Sequence, residues 1–318
     1  MTTELYIVNG ETVYYPAVVE GIQWSTERKG SPGKLTFTVI RDAALNIQEG
    51  NAVSFSVDGQ KCFYGYIFKK QRSKDNQISI TAYDQLRYFK NKDTYSYIGK
   101  TASQVLKKIC TDFKLRAGSI EDTGYVIPKK IESNKTLFDI VQSALDTTLM
   151  NTNKVYVLYD NYGEICLKSI SDMKVPIIID SETGENFDYT SSIDEQTYNQ
   201  VKLTFDNEKT GKRDIYLIKD SKHINEWGVL QFYDTLEEGE NGQAKAEKLL
   251  EYYNKKTRKL KITSAFGDLR VRAGASPLIQ LDLGDLKVSN FMVVTSASHE
   301  FKNGVHTMDL QLEGGEFI

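Results

Sequence analysis

The C-terminal segment Lys259–Glu313 alternates apolar and polar positions with a period of two. The alternation is unbroken in Val305–Leu312, where one set of side chains shares a face: His306, Met308, Leu310 and Leu312. Asn303-Gly304 comes directly before it, and this dipeptide favours the positive φ angles of a tight hairpin turn. We therefore predict an antiparallel meander of strands with one buried face.

The same order of strands and turns occurs near the N-terminus. Each of three strand candidates there matches one in the C-terminal segment. Val53–Val57 matches the strand that starts at Leu278, Cys62–Phe68 the one that starts at Phe291, and Ile78–Tyr83 the one that starts at Val305. One four-residue string precedes each copy, Lys34–Phe37 and Lys202–Phe205. Such a string also arises by chance. Our hypothesis is an internal duplication of one β module, with Gly211–Lys256 inserted in the second copy.

Between these two regions the hydrophobic period becomes helical. Thr101 with Gln104 forms a capping-box pattern that predicts a helix. A second helix is predicted from Thr136, because a wide apolar stripe follows it. Three strands are predicted after it: Val155–Tyr159, Ile165–Ser169 and Ile177–Ile179.

These changes of period predict three domains, a number that suits 318 residues. Residues 1–95 are expected to form a first antiparallel β domain and residues 96–190 a small mixed α/β domain. Residues 191–318 are expected to form a second β domain with an inserted helix. The predicted fold class is mixed and β-rich (α+β), with two antiparallel β domains flanking the α/β domain.

Composition excludes several classes of protein. The formal net charge of −3 argues against specific nucleic-acid binding, which needs a concentrated basic surface. No apolar run approaches the ~20 residues of a membrane span, so we expect no membrane anchor. The N-terminus lacks the basic and apolar regions of a signal peptide, which predicts synthesis in a cytoplasm. Cys62, Cys110 and Cys166 are odd in number and far apart, and we predict three buried free thiols.

No catalytic motif is present in the sequence. The chain contains no Gly-x-Ser-x-Gly elbow, Walker loop, dinucleotide fingerprint, His-Glu-x-x-His or Cys-x-x-Cys. The paired carboxylates of a glycoside hydrolase are defined by their separation in space, and the sequence indicates no such pair. We therefore predict a scaffold and not an enzyme, with no catalytic, cofactor-binding or metal-binding residues.

Two groups of residues nevertheless suggest a metal ion. His299 and His306 could meet across the hairpin and bind a metal with Glu300 or Asp309. His306 shares a face with apolar residues, however, so a packed histidine is the preferred interpretation. The acidic loop Glu237–Glu240 could bind calcium, but its spacing differs from that of an EF-hand, and we interpret it as a solvated loop.

A set of short strings distributed along the chain matches one family. The strings are Gly50–Phe55, Asp58-Gly59, Phe63–Ile67, Thr81–Lys92, Thr101–Ser103, Thr136–Ile140 and Leu310–Gly314. They resemble the tail-hub proteins of the XkdQ/YqbQ type, which are encoded by contractile phages and by phage-derived particles such as the defective prophage PBSX. The resemblance covers essentially the whole chain, and Tyr83–Lys92 is its most specific part.

The resemblance implies a structural baseplate hub of a contractile phage tail or a phage-tail-like bacteriocin. It implies a homotrimer with two tube-like β domains per chain, which form a pseudo-hexameric ring around a channel. One face of this ring would meet the six-fold tail tube protein and the other the three-fold central spike protein. A LysM-type adaptor and a tape-measure protein are further partners that the resemblance suggests. The chain would then be incorporated into the baseplate of the particle.

Two other functions remain open at this point. A tail-associated peptidoglycan hydrolase would serve a tail that must breach the cell wall. A carbohydrate-binding host-recognition protein is suggested by the aromatic content, which includes 19 tyrosines. If DNA or a tape-measure protein passes through a channel, we expect the strand faces that line it to be polar and acidic.

Overall fold

The computed structural model describes residues 1–72, 74–180, 182–183, 186–207, 211–236, 240–282, 284 and 287–314. Strands make up 54% of the protein and helices 19%, which confirms the β-rich fold. The strands of the two ends of the chain lie in one large sheet, and three small sheets account for the others in the described residues.

Seven strands form the N-terminal part of the large sheet, which we call the first module. They are β1 (Thr3–Asn9), β2 (Thr12–Tyr14), β3 (Val18–Glu27), β4 (Lys34–Ile40), β5 (Ala52–Val57), β6 (Gln60–Arg72) and β7 (Gln77–Tyr83). Their order in space is β3-β4-β7-β6-β5-β1-β2, and every pairing is antiparallel. In β4 the alternate residues Leu35, Phe37 and Val39 are buried, as the period of two requires.

The middle of the chain combines two helices with two small sheets. Its elements are β8 (Lys92–Lys100), α1 (Ala102–Asp112), β9 (Ala117–Ile120), β10 (Ile127–Thr136), α2 (Leu137–Thr152), β11 (Tyr156–Asp160) and β12 (Ile165–Ser169). Thr101 and Gln104 form the predicted capping box at the start of α1. Leu86 and Phe89, from a short 3-10 helix that precedes β8, pack into the core between α1 and α2.

The C-terminal part of the large sheet is the second module, and it contains a long insert. Its elements are β13 (Lys174–Asp180), β14 (Asn186–Ser192), β18 (Thr257–Phe266), β19 (Ser276–Asp282), β20 (Lys287–Lys302) and β21 (Val305–Gly314). The insert between β14 and β18 consists of β15 (Gln200–Asn207), β16 (Lys212–Lys219), α3 (Ser221–Trp227), β17 (Gln231–Thr235) and α4 (Gly242–Tyr253). Strands β16-β15-β17 form a sheet of their own, against which α4 packs.

The two modules share one topology, which is the repeat of strand order that the sequence predicts. The first has the spatial order β3-β4-β7-β6-β5 and the second has β14-β18-β21-β20-β19. If these five strands of each module are numbered along the chain, their order in space is first, second, fifth, fourth, third in both modules. The modules differ at one margin, since β1 is antiparallel to β5 whereas β13 is parallel to β19.

The structure corrects three details of the sequence interpretation. Lys34–Phe37 lies in β4, but Lys202–Phe205 lies in β15 of the insert, so the shared string does not mark equivalent strands. The counterpart of β4 is β18, and the insert comes between β14 and β18 instead of spanning Gly211–Lys256. Ile177–Ile179 belongs to β13, which pairs with the second module and not with the middle sheets. The domain limits at residues 95 and 190 stay predictions.

Candidate functional site: the joint between the two modules

The two modules meet through the antiparallel pairing of β3 with β20. The register runs from Ser296 opposite Glu27 to Phe301 opposite Ile22. This pairing makes the strands of both modules one 13-stranded sheet. The modules are therefore joined side by side through backbone hydrogen bonds, although β3 and β20 are far apart in the sequence. We call this pairing the joint.

One face of the joint is buried and aromatic. Phe301, from the second module, is 3% exposed and lies in the core of the first module. Its ring meets that of Phe55 edge-on at 5.1 Å between centroids. Next to it, the His299 ring stacks on Trp24 at 5.0 Å. The second module thus completes the hydrophobic core of the first.

The opposite face of the joint is polar and exposed. Gln23 Nε2 donates a hydrogen bond to Ser298 Oγ at 3.0 Å. Ser296 Oγ donates to the Glu27 carboxylate at 2.8 Å. The joint is therefore an amphipathic strip of sheet, with one side packed and the other facing solvent.

The predicted contact between two histidines exists, and it is part of the joint. His299 Nε2 lies 2.7 Å from the carbonyl oxygen of Val271, and His299 Nδ1 lies 2.9 Å from His306 Nε2. A carbonyl only accepts, so Nε2 of His299 carries the proton and Nδ1 accepts from His306. Burial lowers the pKa of His299 to about 3, which keeps this ring neutral.

These contacts do not resemble a metal site. Both ring nitrogens of His299 have protein partners, and Asp309 accepts a hydrogen bond from the backbone N–H of Ser264 at 2.8 Å. Among the residues that the structure describes, no group of three or more histidine, cysteine or acidic side chains is placed to hold a metal ion. The acidic loop Glu237–Glu240 lies mostly outside the described residues. Its last residue, Glu240, pairs with Lys245 at 2.8 Å.

Two buried carboxyl groups and a partly buried arginine come together where the two modules and the middle region meet. Asp84 follows the last strand of the first module, Asp160 ends β11, and Arg272 lies in the loop before β19. The Arg272 guanidinium lies over the Tyr159 ring, 4.6 Å from its centroid. Each of three parts of the fold therefore contributes one charge to this buried group.

The carboxyl groups of this charged group are shifted by their surroundings. Burial, and then the nearby Asp160 charge, raise the pKa of Asp84 well above its ordinary value, while Arg272 opposes this rise. Burial raises the pKa of Asp160 to about 6. Raised carboxyl pKa values are also found at catalytic sites.

Both carboxyl groups are buried and accept hydrogen bonds from backbone N–H groups. Asp84 accepts hydrogen bonds from the backbone N–H groups of Gly33 at 2.9 Å and Leu86 at 3.0 Å. Asp160 accepts in the same way from Gly163 at 2.6 Å. Asp84 and Asp160 are 4% and 5% exposed, so a substrate has no access to them. The two carboxylates hold loops together at the meeting point of three parts of the fold.

The loop that carries Arg272 fits tightly between its neighbours. Ala273 N–H donates to Thr26 Oγ1 of the first module at 2.9 Å. Gly274 has φ +93°, and a Cβ atom there would lie 2.5 Å from Val157 of β11. Glycine is needed because both the dihedral angle and the space exclude a side chain.

Sequence inspection missed most of this site. Asp84 lies in the string Tyr83–Lys92 that carries the family resemblance, and Trp24 is one of only two tryptophans. These were the available signals. Asp160 and Arg272 had none, because their importance comes from burial beside distant residues. The thiols were largely predicted: all three cysteines are free, with Cys110 and Cys166 buried but Cys62 only partly so.

Comparison with known proteins places the chain in a family. A family model described as YQBQ-like matches residues 22–313, which include the joint, the insert and all of the first module after the start of β3, together with nearly all of the second module. The chain belongs to the YqbQ-like family. Within the described residues, no helix is long and apolar enough to cross a membrane.

Two relatives of this YqbQ-like chain are proteins of Bacillus subtilis strain 168. Protein YqbQ is 28% identical over 321 residues, covering 97% of this chain and 96% of the relative. Protein XkdQ of the phage-like element PBSX is also 28% identical over 321 residues, with the same coverage. The similarity therefore extends over nearly the full length of both.

Solved structures of two tail proteins and of a type VI secretion component share the fold of the YqbQ-like chain. A tail protein from Neisseria meningitidis MC58 superposes with a TM-score of 0.73 at 12% identity, covering 100% of this chain and 98% of the other. The 43 kDa tail protein of prophage MuSo2 from Shewanella oneidensis gives 0.69 at 12% identity, covering 97% and 98%. The Escherichia coli c3393 protein, a type VI secretion component described as similar to the T4 tail proteins gp27 and gp5, gives 0.60 at 11% identity, covering 99% and 78%.

Proposed function

We propose that this YqbQ-like chain is a structural hub of the baseplate in a contractile phage tail or phage-tail-like bacteriocin. Three copies would form a ring of six β modules that links the tail tube to the central spike. The observation that carries this proposal is the joint, which fuses two modules of the same topology into one sheet. A chain with two such modules lets three copies present six similar units to a six-fold tube and three chains to a three-fold spike.

The comparisons support a role in a tail. XkdQ is named as a protein of the phage-like element PBSX, and two proteins of the same fold are named as tail proteins. The c3393 protein is described as similar to tail proteins of phage T4. Fold alone does not define function, but an assembly role depends on shape, which is what these proteins share.

The buried parts of the joint also suit a structural role. The carboxylates that resemble catalytic groups by pKa are buried and accept hydrogen bonds from backbone N–H groups, and both ring nitrogens of His299 have protein partners. Rigid packing between modules serves a part that carries mechanical load. These features favour a scaffold over the peptidoglycan hydrolase considered from the sequence.

The proposal is tested by deleting the gene in the strain or phage that encodes it. We expect particles without complete baseplates in negative-stain electron microscopy, and restoration of complete tails by the gene supplied on a plasmid. Quantitative mass spectrometry of purified wild-type tails should find three copies of the chain for each three-fold spike. Complete, active tails in the deletion strain would contradict the proposal.

A second assay separates the hub from a hydrolase. The purified chain is placed in a peptidoglycan gel beside lysozyme as a positive control. We expect no clearing by the chain. A cleared zone that disappears when one carboxylate is changed to its amide would establish the hydrolase instead.

A further inference from the structure

Strand β20 has two successive partners along one edge. Its first part, Lys287–Phe291, pairs with β19, and its later part, Ser296–Phe301, pairs with β3 across the joint. Strand β6 holds the same place in the first module. Gln60–Tyr66 pairs with β5 and Tyr66–Arg72 pairs with β7. Beyond Tyr66, on the side of β5, no strand of the described chain pairs with β6.

The two strands can be aligned residue by residue through their β-bulges. The pairing of β20 with β21 shifts register between Val294 and Ser296, and that of β6 with β7 shifts between Ile67 and Lys69. A bulge inserts one extra residue, so Lys69 is the counterpart of Ser296. Counting onward, Gln71 corresponds to Ser298 and Arg72 to His299.

Backbone hydrogen bonds beside the bulges confirm this alignment. In the first module, Gly50 N–H donates to Ile67 O at 2.8 Å, and Ile67 N–H donates to Asn51 O at 2.9 Å. In the second, Gly274 N–H donates to Val294 O at 2.8 Å, and Val294 N–H donates to Ala275 O at 2.9 Å. Gly50 and Gly274 have φ angles of +87° and +93°. The local backbone is therefore the same in both copies.

Strand β14 is the counterpart of β3, and its outer edge has no partner. It pairs with β18 along its whole length and ends the path of strands in the large sheet, as far as the structure describes the chain. Trp24 pairs with Leu35 of β4, and Tyr189 pairs with Leu260 of β18. Leu35 and Leu260 align, so Tyr189 corresponds to Trp24 and Thr190 to Ser25.

Each chain thus contains one joint in which both strands are paired. It also contains the two edges, on β6 and on β14, from which an equivalent joint could form between two copies. We propose that the edge Lys69–Arg72 of β6 pairs with β14 of the next copy of this chain, antiparallel and in the register of the internal joint. Lys69 then lies opposite Ser192, Gln71 opposite Thr190, and Arg72 opposite Tyr189 of the next copy. This inference rests on the proposed function and names the strands that close its ring.

The chemistry of the two edges suits this pairing. At the internal joint His299 stacks on Trp24, and at the equivalent position Arg72 meets Tyr189, a pair that forms a cation–π contact. Gln71 and Thr190 replace the serines of the polar face, and their side chains can hydrogen-bond each other. The β6 edge is basic, while the only charged residue of β14 is Asp188, so no like charges oppose one another.

Pairing of unlike edges decides the form of the assembly. The contact is heterologous, and repetition of one such contact generates a ring when its rotation closes. If the new joint repeats the geometry of the internal one, every module is related to the next by the same rotation, and the three copies of the proposed hub close a ring of six modules when that rotation is one sixth of a turn. Such a ring also removes the exposed strand edges, which otherwise invite uncontrolled aggregation.

A designed disulfide tests the register. Arg28 N–H donates to Thr295 O, so hydrogen-bonded and non-hydrogen-bonded pairs alternate from there, and Ser25 with Ser298, three positions along, is a non-hydrogen-bonded pair with Cα atoms about 4.5 Å apart. That distance permits a disulfide. The variant Gln71→Cys/Thr190→Cys places cysteines at the equivalent positions of the proposed joint. In a Cys62→Ser background, oxidation should produce covalent dimers and trimers on a non-reducing gel, with the trimer as the largest species.

Two matched variants provide controls. Ser25→Cys/Ser298→Cys should form a disulfide within one chain, which shows that this pair geometry supports the bond. Gln71→Cys/Asn186→Cys moves one cysteine four residues along β14, about 13 Å away, and should not crosslink. Multi-angle light scattering on every variant at tens of micromolar reports the mass of the species independently of the crosslink.

The possible results separate the pairing from the hub role. Crosslinking of Gln71→Cys/Thr190→Cys to a closed trimer, with neither control forming covalent trimers, supports the pairing. A trimer by light scattering in which this pair stays reduced overturns the pairing and leaves the hub role standing. A monomer without crosslinks at every concentration also overturns the pairing, and the hub role is then decided by the deletion strain.

Discussion

Phe301 is the most direct test of the joint, because it comes from the second module and fills the core of the first. The substitution Phe301→Ala removes a ring that is 3% exposed and that contacts the rings of Phe55 and His306. Truncation of a buried phenylalanine to alanine costs about 3–5 kcal/mol, from the lost transfer free energy and the cavity left behind. We expect this loss in the unfolding of the first module.

Tryptophan fluorescence in urea measures the effect where it occurs. Trp24 stacks within the joint, and the other tryptophan, Trp227, lies in the insert, so a Trp227→Phe background isolates the signal of the joint. With a slope of about 3 kcal/mol per molar urea, the expected loss moves the midpoint down by roughly 1–1.7 M. Phe266→Ala is the matched control, because Phe266 is 72% exposed and its truncation should change stability by about 0.5 kcal/mol or less.

One result would refute this reasoning. If Phe301→Ala and Phe266→Ala lower the Trp24 midpoint equally, Phe301 is not part of the first module's core, and the two modules are connected only by the backbone of the joint. A double substitution with Phe55→Ala adds a further check. Since the two rings are in contact, the costs of the two truncations should be non-additive.

Three further predictions follow from the buried parts of the fold. Gly274→Ala should reduce the free energy of unfolding by about 1–3 kcal/mol and so lower the melting temperature in calorimetry, because its φ is +93° and its Cβ would strike Val157. Gly99→Ala, which has open space around its Cβ, should reduce the free energy of unfolding by less. Equal losses for the two variants would contradict the steric argument. The folded state raises the pKa of Asp160 to about 6, so it favours the protonated carboxyl, and this contribution is present below pH 4 and lost as the pH rises through 6. The measured quantity is the unfolding free energy of the wild type minus that of Asp160→Asn, from urea titrations. This quantity should fall between pH 4 and 6, by up to about 3 kcal/mol. A value that stays constant or rises with pH would be inconsistent with a raised pKa. Burial raises the pKa of Cys110 to about 11, so this thiol should react with a disulfide reagent at pH 8 only after unfolding, whereas rapid labelling of the native chain at Cys110 would show that it is accessible.

Much of the local structure was predictable from the sequence. The period of two identified the strands of both modules, and the capping box at Thr101 marked the start of α1. Even the duplication was visible in the order of strands and turns. The string that offered additional support for it, Lys202–Phe205, lies in the insert, because four residues contain too little information to identify a strand.

The candidate site was mostly invisible in the sequence. Asp160 and Arg272 become important only when the fold buries them together, and the desolvation that shifts the pKa of each depends on every neighbouring element. The contact of His299 with His306 was the exception, since a hairpin turn brings residues on both sides of it together.

The sequence by itself determined which side chains face inward, where helices begin and that one module occurs twice. These properties depend on near neighbours along the chain, through side-chain periodicity and local hydrogen bonds. Only the tertiary structure decided that β3 pairs with β20 and that, among the described residues, no strand pairs with the outer edge of β14 or with the end of β6 on the side of β5. A strand's alternation records which of its faces is buried, but its edges carry the same backbone groups everywhere, so the choice of partner is made by the packing of the whole sheet.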